Sequence, residues 1–193
     1  MATYGTLATL RKRIGSEPSD TSRDEDLTSA LAAASRYIER ATGRRFWLDA
    51  IAVARTVRTA GRVACRADGD LLLVEDIGDT AGMTVDAGAP GSWTALHDWE
   101  TQPDNAQADG RPVTGLLRAG LWPDRIRVTA RWGWPAVPED ITEASLIQAQ
   151  RLYKRKDSPE GIVGSAEWGV RNLSRRDPDV WALIEPFILP GFG

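Results

Sequence analysis

The hydrophobic period of this chain changes twice, and that limits what it can fold into. Up to Gly43 apolar side chains recur every three to four residues. From about Ile51 to Trp134 they alternate, and from Pro138 the helical spacing returns. Helices therefore flank a strand-rich middle, which is an α+β arrangement with its elements segregated. The first helix carries Leu7, Leu10 and Ile14 and stops at Gly15. In the second, Leu27, Leu31, Ala34, Ile38 and Ala41 share a face. Ser22 and Glu25 have the spacing of a capping box, and Gly43 reads as the C-terminal cap. The small residues Ala30 and Ala32 to Ser35 allow another helix to approach closely.

The strand region reads as four to six short strands. Ile51, Val53, Arg55 and Val57 alternate. Leu71–Val74 and Met83–Val85 are short apolar runs, and turns are marked at Asp68-Gly69, Pro90-Gly91 and Asp109-Gly110. The clearest strand is Arg125–Trp132, with Ile126, Val128, Ala130 and Trp132 on one side and Arg125, Arg127, Thr129 and Arg131 on the other. Trp134-Pro135 ends it. A third helix follows Pro138, with Ile141, Ala144, Ile147, Ala149 and Leu152 as its stripe and Leu146 and Tyr153 at the margin. Its acidic start (Glu139, Asp140, Glu143) and basic end (Arg151, Lys154, Arg155, Lys156) suit the helix dipole. A weakly extended segment, 157–176, carries Trp168, Val170 and Leu173. Asp177-Pro178 then caps a short fourth helix with Val180, Trp181 and Ile184. The expected organisation is N-terminal helices at 1–48, a β insertion at 49–134, and C-terminal helices with a tail at 135–193 that share one helical core with 1–48.

Composition removes several functional classes. The 193 residues carry a net charge of −3, which argues against a general nucleic-acid binder. One Cys, Cys65, and one His, His97, cannot make a disulfide framework or a Cys/His zinc site. The longest aliphatic run, Leu71–Val74, is far below the roughly 18 residues of a membrane span, and Met1-Ala2-Thr3-Tyr4 does not read as a signal peptide. A soluble globular protein is expected. No Gly-x-Ser-x-Gly elbow, phosphate loop or Gly-x-Gly-x-x-Gly motif is present. His97 reads as a surface residue and Cys65 as a small core residue. Lys12, Lys154 and Lys156 are the only lysines among 24 basic residues, a bias read mainly as codon usage, and there are eight Trp.

Three features remain as sites. Asp98, Glu100, Asp104 and Asp109 near Trp93 and Trp99 form a loop that a glycan-binding or glycan-hydrolysing module would use. Arg125, Arg127 and Arg131 beside Trp132 and Trp134 read either as a single-strand platform or, preferably, as a solvated strand face. The last eight residues hold Phe187, Ile188, Leu189 and Phe192 between Pro186, Pro190 and Gly191. That apolar tail either folds back on its own core or docks into a partner.

Several segments together resemble one family. They are Tyr4-x-Thr6-Leu7-Ala8-x-Leu10-Arg11-x-Arg13-Ile14-Gly15, the helix ending Thr42-Gly43-Arg44-Arg45-Phe46, and Val128 through the turn Gly133-Trp134-Pro135-Ala136-Val137-Pro138. Ala149-Gln150-Arg151-Leu152-Tyr153-Lys154-Arg155 with Gly161, and Arg176-Asp177-Pro178-Asp179-Val180 with Leu183, Ile184 and Pro186, complete the set. In this order and spacing the chain resembles the head–tail connector, or adaptor, proteins of long-tailed bacteriophages and gene transfer agents. The likeness is loosest from about 75 to 120. The resemblance implies a structural virion protein, made in the host bacterial cytoplasm, without catalysis, cofactor or membrane contact. It implies a homo-oligomeric ring, usually of twelve copies, below the portal protein. That ring contacts the tail-side stopper and extends a channel through which double-stranded DNA passes without specific binding. By the same resemblance Trp181, Phe187, Ile188, Leu189 and Phe192 are portal-docking candidates. Arg44, Arg45, Lys154, Arg155, Arg175 and Arg176 are expected at contacts between subunits, with the acidic stretch Glu17–Asp26 as a partner.

Overall fold

The computed structural model describes residues 2–17, 19–155, 162–163, 171–172 and 177–189. It is an α+β fold that divides into two compact units, one of residues 1–44 with 137–193 and one of residues 45–136.

The first unit is helical: α1 (Leu7–Ile14), α2 (Asp24–Thr42), α3 (Glu139–Arg155) and α4 (Pro178–Ile184), the last followed by a 3-10 turn at Glu185–Phe187. The Thr6 hydroxyl accepts the Thr9 amide at the start of α1, and Gly15 ends it in the left-handed region. Gly43 closes α2 the same way, at φ 69°. The Ser22–Glu25 capping box does not form. Ser22 turns its amide and hydroxyl to the Asp20 carboxylate, and α2 starts at Asp24 with no side-chain cap. Its first turn still holds Asp24, Glu25 and Asp26, where the helix dipole favours negative charge.

α3 packs on α1, α2 and α4. Leu10, Leu27, Leu31 and Ala34 meet Leu146 and Ala149 in this core. Small residues let the helices approach: Ser35 Oγ lies 3.4 Å from Ser145 Oγ, donates to the Leu31 carbonyl and accepts the Tyr4 amide. Leu146, placed at the margin of the α3 stripe from sequence, is buried in the core, whereas Ile147 is only half-buried. Asp177 caps α4 through the amides of Asp179 and Val180. In the segment 157–176 only a short backbone pairing, β8 (Ile162–Val163) with β9 (Arg171–Asn172), is described. The expected pattern at Trp168, Val170 and Leu173 lies outside the described residues.

The second unit is one seven-stranded antiparallel sheet, more strands than the four to six expected. Its members are β1 (Val53–Arg58), β2 (Val63–Arg66), β3 (Gly69–Ala89), β4 (Ser92–Leu96), β5 (Glu100–Gln102), β6 (Val113–Arg118) and β7 (Arg125–Trp132). The two apolar runs Leu71–Val74 and Met83–Val85 belong to a single strand, β3, of 21 residues. Gly78, Asp79 and Gly82, which punctuate the sequence, are sites of register shift and not turns. β3 thereby serves four partners. Its first half pairs with β2 and β6 and its second half with β4 and β7.

Along β7 the alternation is as read: Ile126, Val128, Ala130 and Trp132 are buried, and the residues between them are half-buried. β1 is different. Val57 is buried, but Val53 is 40% exposed on this edge strand, which pairs only with β7, and Ile51, 72% exposed, lies before the strand begins.

The segments entering and leaving this unit run side by side. The Asp49 amide donates to the Trp132 carbonyl at 2.8 Å, and the Gly133 amide to Asp76 at 2.8 Å. Gly133 has φ 109°, and a Cβ there would stand 2.0 Å from the Trp47 carbonyl oxygen. Both the torsion and the space exclude a side chain. Gly133→Ala is therefore expected to destabilise the fold by roughly 2–4 kcal/mol. Denaturant unfolding checks this, and a midpoint equal to that of the native protein would contradict it.

Candidate functional site

The described part of the C-terminal tail folds back on the end of α2. The Leu189 amide donates to the Thr42 carbonyl at 2.9 Å, and Arg44 Nε donates to the Phe187 carbonyl at 2.8 Å. The Leu189 side chain lies over Gly43, where a Cβ would be 3.6 Å from it. The backbone is thus fixed while side-chain surface stays available: Phe187 and Ile188 are half-buried, and Leu189 is 42% exposed. Trp181 is half-buried on α4. Phe192 lies outside the described residues.

The basic candidates divide. Arg44 is held by the tail. Arg45 belongs to the β unit, where it pairs with Asp49 at 2.9 Å, donates to the Trp132 carbonyl and stacks 3.9 Å above the Trp47 ring. Lys154 and Arg155 are exposed at the last turn of α3. Arg175 and Arg176 lie outside the described residues. Other helix-end arginines are used within the chain: Arg11 with Asp24, Arg13 with Glu143, and Arg151 with Asp177 at 3.2 Å. The acidic stretch is partly engaged as well, with Asp24 on Arg11 and Asp20 on Ser22. The Ser22 hydrogen bonds hold the Asp20 carboxyl below its usual range.

In the β unit, arginine and tryptophan work together. Arg55 lies 4.5 Å over Trp132, Arg118 5.9 Å over Trp122, and Arg127 4.7 Å over Trp93. Most of these arginines also pair with acids: Arg55 with Glu75 and Asp49, Arg118 with Asp98, Arg127 with Asp86, and Arg131 with Asp79. The Asp79 carboxyl is held below its usual range, first by the Ala81 amide and also by Arg131. Asp98 is lowered likewise, mainly by its hydrogen bond from Arg118.

These partners account for the loop with Trp93 and Trp99. The Trp93 ring carries an arginine, and Trp99 Nε1 donates to the Leu96 carbonyl at 2.8 Å while its ring packs at the edge of the core. Trp132 is core and donates to the Val53 carbonyl, and Trp134 bonds Asp76 at 3.0 Å. None of these Arg–Trp pairs except Arg45 with Trp47, two residues apart, has a signal in the sequence.

His97 is exposed. Cys65 is exposed too, not a core residue as read. It lies on β2 directly opposite Asp70 in the register, and the hydrogen bond and charge of Asp70 push its thiol pKa up. Among the described residues no group of three or more His, Cys, Asp or Glu is placed to hold a metal ion, and no helix is long and apolar enough to cross a membrane.

Two solved structures share this fold over nearly the whole chain. A chain in the virion of a native gene transfer agent (GTA) particle matches with TM-score 0.55 and 22% identity, over 100% of this chain and 95% of that one. A chain in the neck of an empty GTA particle, computed with C6 symmetry, matches with TM-score 0.54 and 20% identity, over 97% and 91%. The likeness is one of fold, in agreement with the resemblance read from the sequence motifs. No protein-family profile matches the chain, and no curated protein matches it significantly.

The Cys65 environment has a direct test. Asp70→Asn removes the charge that disfavours the thiolate, so iodoacetamide alkylation at pH 8 is expected to speed up about two- to fivefold. An unchanged or slower rate would contradict the assignment.

Proposed function

We propose that this chain is a structural virion protein that acts as a head-to-tail adaptor, a ring component of the neck between portal and tail. The observation that carries the reading is the whole-chain fold likeness to chains of a GTA virion and a GTA neck. It coincides with the resemblance to adaptors found independently in the sequence motifs. A ring of twelve copies is compatible with a sixfold neck. The role is mechanical and needs no catalysis, metal or cofactor. Each copy brings a net charge of −3, so the ring as a whole repels phosphate, which suits a passage that double-stranded DNA must traverse without arrest. The protein is made in the host cytoplasm and ends in the virion.

Portal docking is assigned to Trp181, Phe187, Ile188, Leu189 and Phe192, with the tail-side stopper meeting the ring from the other side. The fixed backbone at 187–189 supports this, because a docking segment already held in place loses less entropy on binding. At the subunit contacts Lys154 and Arg155 remain available, whereas Arg44 and Arg45 act within their own chain.

Deleting residues 186–193 tests the docking role. Of the hydrogen bonds described, the deletion removes those from Leu189 to Thr42 and from Arg44 to Phe187, worth about 1 kcal/mol each, and the truncated chain is expected to stay folded by circular dichroism. DNA-filled heads made with it are expected to lack tails. Normal joining of heads to tails would overturn the docking assignment, and an unfolded truncated chain would make the tail part of the core.

A further inference from the structure

Arginine supplies the cation of the ion pairs described, and among the arginines outside those pairs, which include Arg23, Arg40, Arg66, Arg111 and Arg155, three lie together. They are Arg58 at the end of β1, Arg62 in the turn after it, and Arg125 at the start of β7. They share one corner of the β unit. Arg58 and Arg125 are directly opposite in the β1–β7 register, where like charges destabilise a sheet. The Arg62 amide donates to the Thr59 carbonyl at 3.0 Å. Thr59 in turn donates its amide to Asp124 at 3.1 Å and its hydroxyl to Pro123 at 2.9 Å. Arg125 Nε is buried without a hydrogen-bond partner, and its guanidinium lies 5.9 Å from the Trp93 ring. Asp124, exposed beside them, is one carboxylate against three guanidinium groups.

The same loop that supplies Asp124 presents Leu121, 83% exposed and the most exposed large apolar side chain described. The loop is anchored on both sides of it. Trp122 Nε1 donates to the Asp70 carbonyl at 2.8 Å, and Arg118 donates to the Leu121 carbonyl. An exposed leucine on a held loop, three residues before Asp124 and the arginines beside it, is a cost in a lone chain. It has the makeup of a protein interface, where an apolar centre and Arg anchors carry most of the binding.

We propose that this corner receives the acidic segment Glu17–Asp26 of a second copy of this chain. The inference rests on the ring reading above. Charge complementarity selects the occupant: Glu17, Asp20, Asp24, Glu25 and Asp26 crowd one stretch, and although Asp24 is taken by Arg11, Glu17 and Glu25 are exposed. Arg forks grip carboxylates in two-point hydrogen bonds, which sets orientation as well as affinity. The corner and the acidic segment are different patches, on different units, so the contact is heterologous. Each copy offers one patch and receives the other, and such contacts continue around a ring instead of closing as a pair.

Reciprocal charge reversal in assembled particles tests the contact. Arg58 and Arg62 are exposed, so R58E/R62E leaves the fold intact, as an unchanged melting curve would verify. The fraction of DNA-filled heads carrying tails is expected to fall about tenfold in R58E/R62E and equally in E17R/E25R, and to return to within about threefold of the native level when all four are combined. No effect of either pair, or a combined variant no better than either alone, would overturn the proposal. Loss with R58E/R62E but not with E17R/E25R would also overturn it, in favour of DNA phosphate as the anion. Mass spectrometry of native tailed particles separates the two levels. Absence of the chain from those particles would overturn the adaptor reading itself, whereas its presence together with failed rescue would overturn only this contact.

Discussion

The Trp47 carbonyl oxygen occupies the place where a side chain at residue 133 would begin, and the β unit depends on that close approach. A strand-rich unit inserted between two helices needs its two connecting segments to lie together. Here they do so through backbone contact at Gly133, the Asp49 amide on the Trp132 carbonyl, and the Phe46 and Trp134 rings 5.3 Å apart. Asp49 gathers the charges of this base. Its carboxylate takes Arg45 and Arg55, and its carbonyl accepts from Arg131. A small neutral residue at 133 and an acid at 49 together let the chain enter and leave at one end of the sheet.

Two oddities of composition have a joint physical explanation. The chain uses Arg almost to the exclusion of Lys and has eight Trp. In the β unit Trp47, Trp93, Trp122 and Trp132 each carry an arginine over the ring. A planar guanidinium can stack on an indole and still send its N–H groups to a carboxylate, which a lysine ammonium does less well. Replacing these arginines by lysine would keep the charge and lose the stacking.

Elements with local causes were legible in the sequence. α1, α2, α3 and α4 follow from apolar spacing with Gly15, Gly43 and Asp177-Pro178 as punctuation, and β7 from its strict alternation. Features set by tertiary partners were not. Ser22 found Asp20 in place of a helix cap, Cys65 fell on the open side of β2, and β3 ran through Gly78 and Gly82 because neighbouring strands continued to pair with it. The candidate site was legible in the same measure. The apolar tail was visible as composition. That its backbone is tied to Thr42 and Arg44, and that Arg58, Arg62 and Arg125 come together at one corner of the sheet, required the fold.

The adaptor proposal rests on the whole-chain fold likeness and on an apolar tail whose described part is tied to the end of α2. The measurement that tests this most directly is a cryo-electron microscopy reconstruction of the neck of DNA-filled, tailed particles that contain the chain. The account predicts density for this two-unit fold in a ring directly below the portal, with residues 181–192 against the portal. Density for the fold elsewhere in the particle, or a neck ring built of another fold, would contradict it.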